Sequence, residues 1–407
     1  MHIVFIEPRF PANQKHFIRA LAEVGATISA VGEGSKGSLD DELKSWLSHY
    51  EQVKNVCDEQ AVLQAVRGIQ RHVHVDRLEA TVEAHIMPTA HVREAAGIPG
   101  TSVRTAFLCR DKPAMKEVLR QGGVPCAESA GVSSTAEVRE FVERVGYPVI
   151  LKPRDGAGAA GAIRVDSDAE LEGAMRGLGV PSGRSVAIEE FIEGHEGFFD
   201  TLTLSGEVVH EFATHYYPNV LEAMRTRWIS PQFLVTNRLE SAPGYDEVRA
   251  MGRKVNSLLG IETTATHMEW FSGPRGLKFS EIGCRPPGVR AWDLYNVAND
   301  MDLYREWAML IAKGRKSQYA SRRLAAGIIA LRPERDGHIS GYEGLDAVRR
   351  SFGAHLIDWH APPVGTPTQP VSAGYMANAW IRLKHENYDD LRQMLDSVGQ
   401  TVRVLAR

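Results

Sequence analysis

The chain has 407 residues, with 47 Lys+Arg against 51 Asp+Glu and a formal net charge of -4, so no global basic field exists to hold a nucleic acid. Hydrophobic residues make up 43% and charged residues 24%, the proportions of ordinary globular domains, and at roughly 100–200 residues per domain the length accommodates two to four of them. An uncharged apolar run such as Ala325–Leu331 falls far short of the ~20 residues a bilayer crossing needs. The opening MHIVFIEPRF meets Glu7, Pro8 and Arg9 before a signal-peptide core can form, which predicts a cytoplasmic protein with no membrane partner. Cys57, Cys109, Cys126 and Cys284 show no CxxC or CxxH spacing, so neither a disulfide framework nor a zinc site is expected.

The chain opens with an apolar strand, His2–Ile6, then helical periodicity from Ala12 to Val24 and a second strand, Thr27–Val31. A helix from Ser38 to Leu47, a strand over 52–56, a helix from Asp58 to about Gln70, a strand near 73–75 and a helix over 78–96 interrupted by Pro88 continue the alternation. That order predicts a parallel-sheet unit over residues 1 to about 100. After Gly97-Ile98-Pro99-Gly100, helices over 111–122 and 136–145 precede a strand at Pro148–Lys152, and short strands surround Gly194 and Gly206. A helix from Asp246 to Gly260 leads to strands near 266–271 and 277–282, and strands near 324–331 and 376–383 with a helix at Tyr388–Val398 close the chain.

GxGxxG occurs twice, at Gly32/Gly34/Gly37 and Gly156/Gly158/Gly161. The first follows a strand, precedes a helix and has Asp58 downstream to meet a ribose, which allows an NAD(P) site and an oxidoreductase reading. The second is followed by Ala162-Ile163-Arg164-Val165, an alternating strand, where a dinucleotide turn needs a helix N-terminus. There the pattern reads as a glycine hairpin beside Lys152: either a loop whose N–H groups cover a phosphate chain, or a surface hairpin with an exposed lysine.

Thr266–Phe271 and Leu277–Ile282 flank a five-residue loop. Setting Phe271 opposite Leu277 puts His267, Glu269, Phe279 and Glu281 on one face, with the two glutamates as diagonal neighbours. Two carboxylates on a partly apolar face need a proton or a cation between them, and oxygen-only ligation favours magnesium; a glutamate reaching solvent, Arg285 or Lys278 is the alternative. Arg285 can stabilise a developing oxyanion or serve as a structural ion pair. His267 can orient a carboxylate. Glu189–Ile192 can offer backbone to an adenine edge, and Glu196 can accept from ribose hydroxyls. Arg225, Arg227, Arg290 and Trp292 can wall a pocket for an amino-acid carboxylate, for which Arg227, His267 and Arg290 are the substrate candidates.

In order and spacing these segments resemble the ATP-grasp superfamily, and among its members the carboxylate–amine ligases. Asp111-Lys112, Met115-Lys116 and Gly123-Val124-Pro125 match an entry motif in which the lysine at Lys112 contacts ATP phosphate. Tyr147–Pro153 matches the second phosphate lysine, Lys152, with Gly156 and Gly158 in the lid loop, and Glu189–Glu196 resembles the hinge. Glu269, Glu281 and Arg285 resemble the magnesium segment, with Gly283 where the family usually carries an asparagine.

The resemblance implies a mixed α/β and α+β fold: an N-terminal Rossmann-like domain at 1–105, an ATP-grasp domain at 106–315 with a lid at about 125–188, and a C-terminal mixed-sheet subdomain at 316–407. It further implies ATP with one or two Mg2+ ions, Mn2+ being an acceptable substitute, and Lys112, Lys152, Gly156, Gly158, Glu189, Glu190, Phe191, Ile192 and Glu196 around the nucleotide. Glu269 and Glu281 would hold the metal, and Arg285 and Lys152 would act on the reacting groups. The implied reaction joins a carboxylate to an amine, amino acids being the expected substrates, through an acylphosphate with release of ADP and phosphate. A bicarbonate-using carboxylase resembling biotin carboxylase or carboxyaminoimidazole synthetase, and an ATP-binding module without catalysis, are the alternatives. Homodimers are common in the family.

Overall fold

The computed structural model describes residues 1–154 and 161–407 of the chain, so Gly156 and Gly158 lie outside the described residues. Strands β1 (His2–Ile6), β2 (Thr27–Gly32), β3 (His49–Gln52) and β4 (Arg77–Glu79) form a parallel sheet in the order β3-β2-β1-β4. β1 is apolar from Ile3 to Ile6 and buried throughout, as a central parallel strand with both faces covered must be. Phe17, on the helix Gln14–Glu23, packs against Trp292, Tyr304 and Trp307 with ring centroids 5.0–5.2 Å away, joining this unit to the rest of the molecule.

Four local expectations are corrected here. The strand expected at 52–56 lies at His49–Gln52, and that expected at 73–75 lies at Arg77–Glu79, where Val4 pairs with Leu78. The helix expected from residue 78 therefore starts at Ile86, and Pro88 falls in its first turn, where a missing N–H leaves no bond unmade. After the first glycine run stands a short helix, Asp41–Trp46, capped by Asp40, where a helix from Ser38 was expected. Gly32 and Gly34 are accounted for by packing: Tyr50 Oη donates to Gly34 O, a Cβ at Gly32 would stand 2.6 Å from that hydroxyl, and one at Gly34 2.9 Å from Ser38 Oγ.

β5 (Ser129–Val132), β6 (Val149–Lys152), β7 (Ile163–Val165) and β8 (Val186–Glu190) form an antiparallel sheet ordered β5-β8-β6-β7. Helices Thr135–Val145 and Asp168–Gly177 cover it, giving a core of its own around Phe141, Leu151, Val165, Met175 and Ile188. This is the lid-like unit.

The largest sheet contains β9 (His195–Leu204), β10 (Glu207–Tyr217), β11 (Gln232–Val235), β12 (Thr264–Gly273), β13 (Gly276–Gly283) and β14 (Ala325–Leu331). After β15 (Ile339–Glu343), β16 (Leu356–His360) and β17 (Ala379–His385) join it, in the order β13-β12-β9-β10-β11-β14-β17-β16, while β18 (Arg403–Ala406) pairs with β15. The sheet runs unbroken across the expected boundary at residues 315 and 316. Alternation along β9 separates its two faces: Phe198 and Leu202 enter one core, and Phe199 enters the other with Met268, Trp270 and Phe279.

Candidate active site

Lys112 opens the helix Lys112–Gln121, whose N-cap is Asp111, accepting from Ala114 N–H at 3.0 Å. Arg154 holds that Asp111 carboxylate bidentately, fixing the cap to the end of β6. One turn beyond Lys112, Lys116 is wholly buried, and its ammonium lies 2.8 Å from Glu189 Oε1. Lys152, at the end of β6, lies 2.7 Å from Glu189 Oε2. Burial penalises the Glu189 carboxylate, but Lys116 and Lys152 outweigh that penalty and hold its pKa down at about 2. Burial likewise opposes the Lys152 charge, and Glu189, Glu281 and Glu269 reverse the effect and raise its pKa. Glu189 thus anchors two lysines through its side chain, while its neighbours on β8 carry the chain to the cleft.

β12 and β13 close in a tight hairpin with Gly273 opposite Gly276, so the connection is shorter than the expected five-residue loop. Ser272 faces Leu277, Phe271 faces Lys278 and Trp270 faces Phe279; a bulge then leaves Ser280 unpaired and sets Glu269 directly opposite Glu281. The expected register is therefore corrected. Phe279 lies in the core with Trp270, on the face away from the glutamates, and the glutamates are a direct pair. Without the bulge the shifted register would turn Glu281 into that core. Lys112 Nζ stands 3.3 Å from Glu281 Oε2. Burial works against the Glu281 carboxylate, yet Lys112 and Lys152 lower its pKa. Lys278 and Arg275 pair with Glu190 and leave Glu269 and Glu281 to the cleft.

The connection from β8 to β9 crosses the hairpin tip at Gly194, with φ 147, and Gly273. A Cβ at Gly273 would stand 2.1 Å from Glu193 O, and one at Gly194 2.5 Å from Ser272 O, so this backbone crossing requires glycine on both sides. Glu196 follows, 5% exposed, with Oε2 accepting from Val220 N–H at 2.6 Å. Burial, reinforced by Glu269, raises its pKa well above the ordinary carboxylate value.

These groups surround a cleft of about 450 Å³ lined by Lys112, Lys152, Glu189, Glu190, Phe191, Ile192, Glu196, Glu269 and Glu281, together with Arg164, Val220 and Arg225. Arg285 and His267 border a narrower recess that shares Lys112 and Glu281 with the cleft as lining residues. Arg227 is engaged by Asp336 at 2.7 Å and Arg290 by Asp293, and neither lines the cleft. Sequence reasoning passed over Asp200, which is 1% exposed and accepts from His267 Nδ1 at 2.7 Å and from the Tyr295 hydroxyl. Burial would lower the His267 pKa, but Asp200 raises it to about 9. A lone acid in the apolar run Gly197-Phe198-Phe199-Asp200-Thr201-Leu202 was the signal available for it. Among the described residues no three His, Cys, Asp or Glu side chains converge as a metal cage. Glu269 and Glu281 nonetheless suit magnesium, which takes one or two carboxylates and completes its shell with phosphate oxygens and water.

Residues 111–197 match the family model of the carbamoyl-phosphate synthase L chain, ATP binding domain. The chain is 28% identical over 249 residues to an L-arginine-specific L-amino acid ligase of Bacillus subtilis, covering 60% of this chain and 59% of that protein. It thus spans well under two thirds of the length of that curated relative. The L-amino acid ligase of Bacillus licheniformis superposes over all of this chain and 98% of its own, with a TM-score of 0.77 at 17% identity. The biotin carboxylase domain dimer of Hydrogenobacter thermophilus 2-oxoglutarate carboxylase, solved with MgADP and bicarbonate, superposes over 99% of this chain and 90% of its own, with a TM-score of 0.67 at 18% identity. The chain has the ATP-grasp fold. In sequence it is similar to amino-acid ligases.

Proposed function

We propose that the protein is an ATP-dependent carboxylate–amine ligase that joins an amino acid to a second small-molecule amine and releases ADP and phosphate. The observation that carries this reading is the meeting of Lys112, Lys152, Glu269 and Glu281 in one cleft beside the lid-like sheet. In this reading Lys112 and Lys152 bind phosphate oxygens. Backbone at Glu189–Ile192 meets the adenine edge, and the second oxygen of Glu196 accepts from the ribose. Glu269 and Glu281 hold one or two Mg2+ or Mn2+ ions, which when bound draw charge from the phosphate oxygens.

A substrate carboxylate oxygen attacks the γ-phosphorus, and the bond to the bridging oxygen breaks as ADP leaves with that electron pair. The amine lone pair then attacks the acyl carbon, the carbon–oxygen bond to phosphate breaks, and the nitrogen gives up one proton as the amide forms. Arg285 stabilises the oxyanion of that addition, and His267 stands beside it. Burial opposes the Arg285 charge, but Glu83 more than offsets it and raises the guanidinium pKa. Homodimer formation and a cytoplasmic location belong to the same proposal, the former supported by the dimeric biotin carboxylase neighbour. No described helix is long and apolar enough to cross a membrane.

Glu281→Gln tests the reading. Turnover is expected to fall by about two orders of magnitude or more, with weakened Mn2+ binding by electron paramagnetic resonance. Intact turnover in that variant contradicts the proposal, and ADP formation that depends on bicarbonate and not on an amino acid moves the protein to the carboxylating branch.

A further inference from the structure

Glu83 belongs to the N-terminal unit, in the turn Glu83–His85 that follows β4, yet its carboxylate leaves that unit and enters the recess beside the cleft. There Oε2 accepts from Arg285 Nε at 2.7 Å, and Oε1 accepts from Arg110 Nη1 at 2.9 Å. Arg110 Nη1 also donates to the Glu83 carbonyl at 3.0 Å, so Glu83 is held by both its backbone and its side chain. The pair is partly shielded, the Glu83 and Arg285 side chains being 23% and 17% exposed. Arg285 Nη1 donates to Pro286 O at 2.8 Å. The guanidinium is therefore fixed at Nε and at one terminal nitrogen, which sets its plane at the edge of the recess.

Gly283 stands two residues before Arg285. A Cβ built there has Glu83 Oε2 as its nearest neighbour, at 3.0 Å, followed by Arg285 Nε at 3.6 Å. One added carbon already crowds the carboxylate by a few tenths of an ångström, and a longer side chain contends with it for the same space. Gly283 and Glu83 thus form a matched pair, in which the missing side chain of one makes room for the carboxylate of the other.

We propose that Glu83 is the positioning residue for Arg285, and that Gly283 is glycine because this contact between the two units requires it. The inference rests on the reading of Arg285 as the group that meets the reacting acyl centre. It turns the departure from the usual asparagine into a compensated exchange, and it makes the orientation of Arg285 depend on the N-terminal unit being seated against the large sheet.

The test has two arms on the full-length protein. In the first, the Arg285 Nε–H resonance of arginine-labelled protein is assigned by its loss in Arg285→Lys. It is expected to shift in Glu83→Ala and Glu83→Gln, by less in Gly283→Ala and by more in Gly283→Asn. An unmoved resonance in the Glu83 variants overturns the pairing, and this arm needs no turnover. In the second arm, Glu83→Ala is expected to lower kcat roughly 10–100-fold with the KM values for ATP, acid and amine unchanged. Gly283→Asn is expected to do the same, and the double variant Glu83→Ala/Gly283→Asn to be no worse than the poorer single variant. A raised substrate KM at constant kcat would make Glu83 a substrate contact, and additive losses would uncouple it from Gly283; either overturns the proposal. If the unaltered protein forms no amide, the ligase reading fails while the resonance arm still decides the pairing. Should Gly283→Asn fail to fold, Gly283→Ala and Glu83→Gln supply the cycle.

Discussion

At the scale of single residues the site is a set of buried charges that neutralise one another before any ligand arrives. Glu189 is ion-paired with Lys116 and Lys152 at 2.8 and 2.7 Å, so Glu189→Gln leaves two buried ammonium groups facing a neutral amide. That variant is expected to lose about 3–5 kcal/mol of stability at neutral pH, measured by denaturant unfolding. The Glu189 pKa is depressed from 4.5 to about 2, so its contribution is fully present above pH 4.5 and is lost as pH falls through 2. The stability gap between the unaltered protein and Glu189→Gln should therefore close across that window. His267 has the opposite sign. Its pKa is raised from 6.5 to about 9, so the Asp200 contact stabilises fully below pH 6.5 and fades as pH rises through 9. Asp200→Asn is expected to flatten the loss of stability between those values, and an unchanged slope would remove Asp200 as the cause. Lys112 and Lys152 were singled out through the resemblance in segment order, Glu269 and Glu281 also through strand alternation, and the four line one cleft. Asp200 and Glu83 were not, because each acts through a partner more than sixty residues away along the chain.

Elements bring those residues together through backbone irregularities that periodicity alone does not reveal. Pairing both strands by strict alternation set the two glutamates diagonally; the bulge at Ser280 makes them a direct pair and returns Phe279 to the core. The strands themselves, the Asp111-capped helix and the helix Tyr245–Leu259 followed from local patterning, which neighbouring units did not override. β4 did not, because Arg77-Leu78-Glu79 is too short and too charged to read as a strand until β1 pairs with it. The crossing of Gly194 over Gly273 ties the β8–β9 connection to the glutamate hairpin. Gly273→Ala would force a Cβ to 2.1 Å from Glu193 O and is expected to lower stability by about 1–3 kcal/mol and to weaken ATP binding, read by thermal melts with and without nucleotide. Gly173→Ala, in the helix Asp168–Gly177 with open space around it, is the control and should be neutral or slightly stabilising.

For the whole molecule, the strands of the described residues form a four-stranded parallel sheet, a four-stranded antiparallel sheet, a large eight-stranded sheet and a two-stranded pair. The continuity of the large sheet was not legible, since nothing local in Ala325–Leu331 says which strand it joins. β14 is buried along its whole length and pairs with β11 on one side and β17 on the other. A chain ending at residue 315 is therefore expected to be insoluble, because it exposes the β11 edge and strips a core face; a monodisperse, cooperatively melting 1–315 fragment would contradict this. The central claim concerns what the assembled cleft does with ATP. Purified protein incubated with MgATP and pooled amino acids, followed by phosphorus nuclear magnetic resonance and mass spectrometry of the products, tests it most directly. ADP and phosphate formed together with a new amide, and absent without magnesium, are the predicted result; AMP and pyrophosphate would contradict the acylphosphate route.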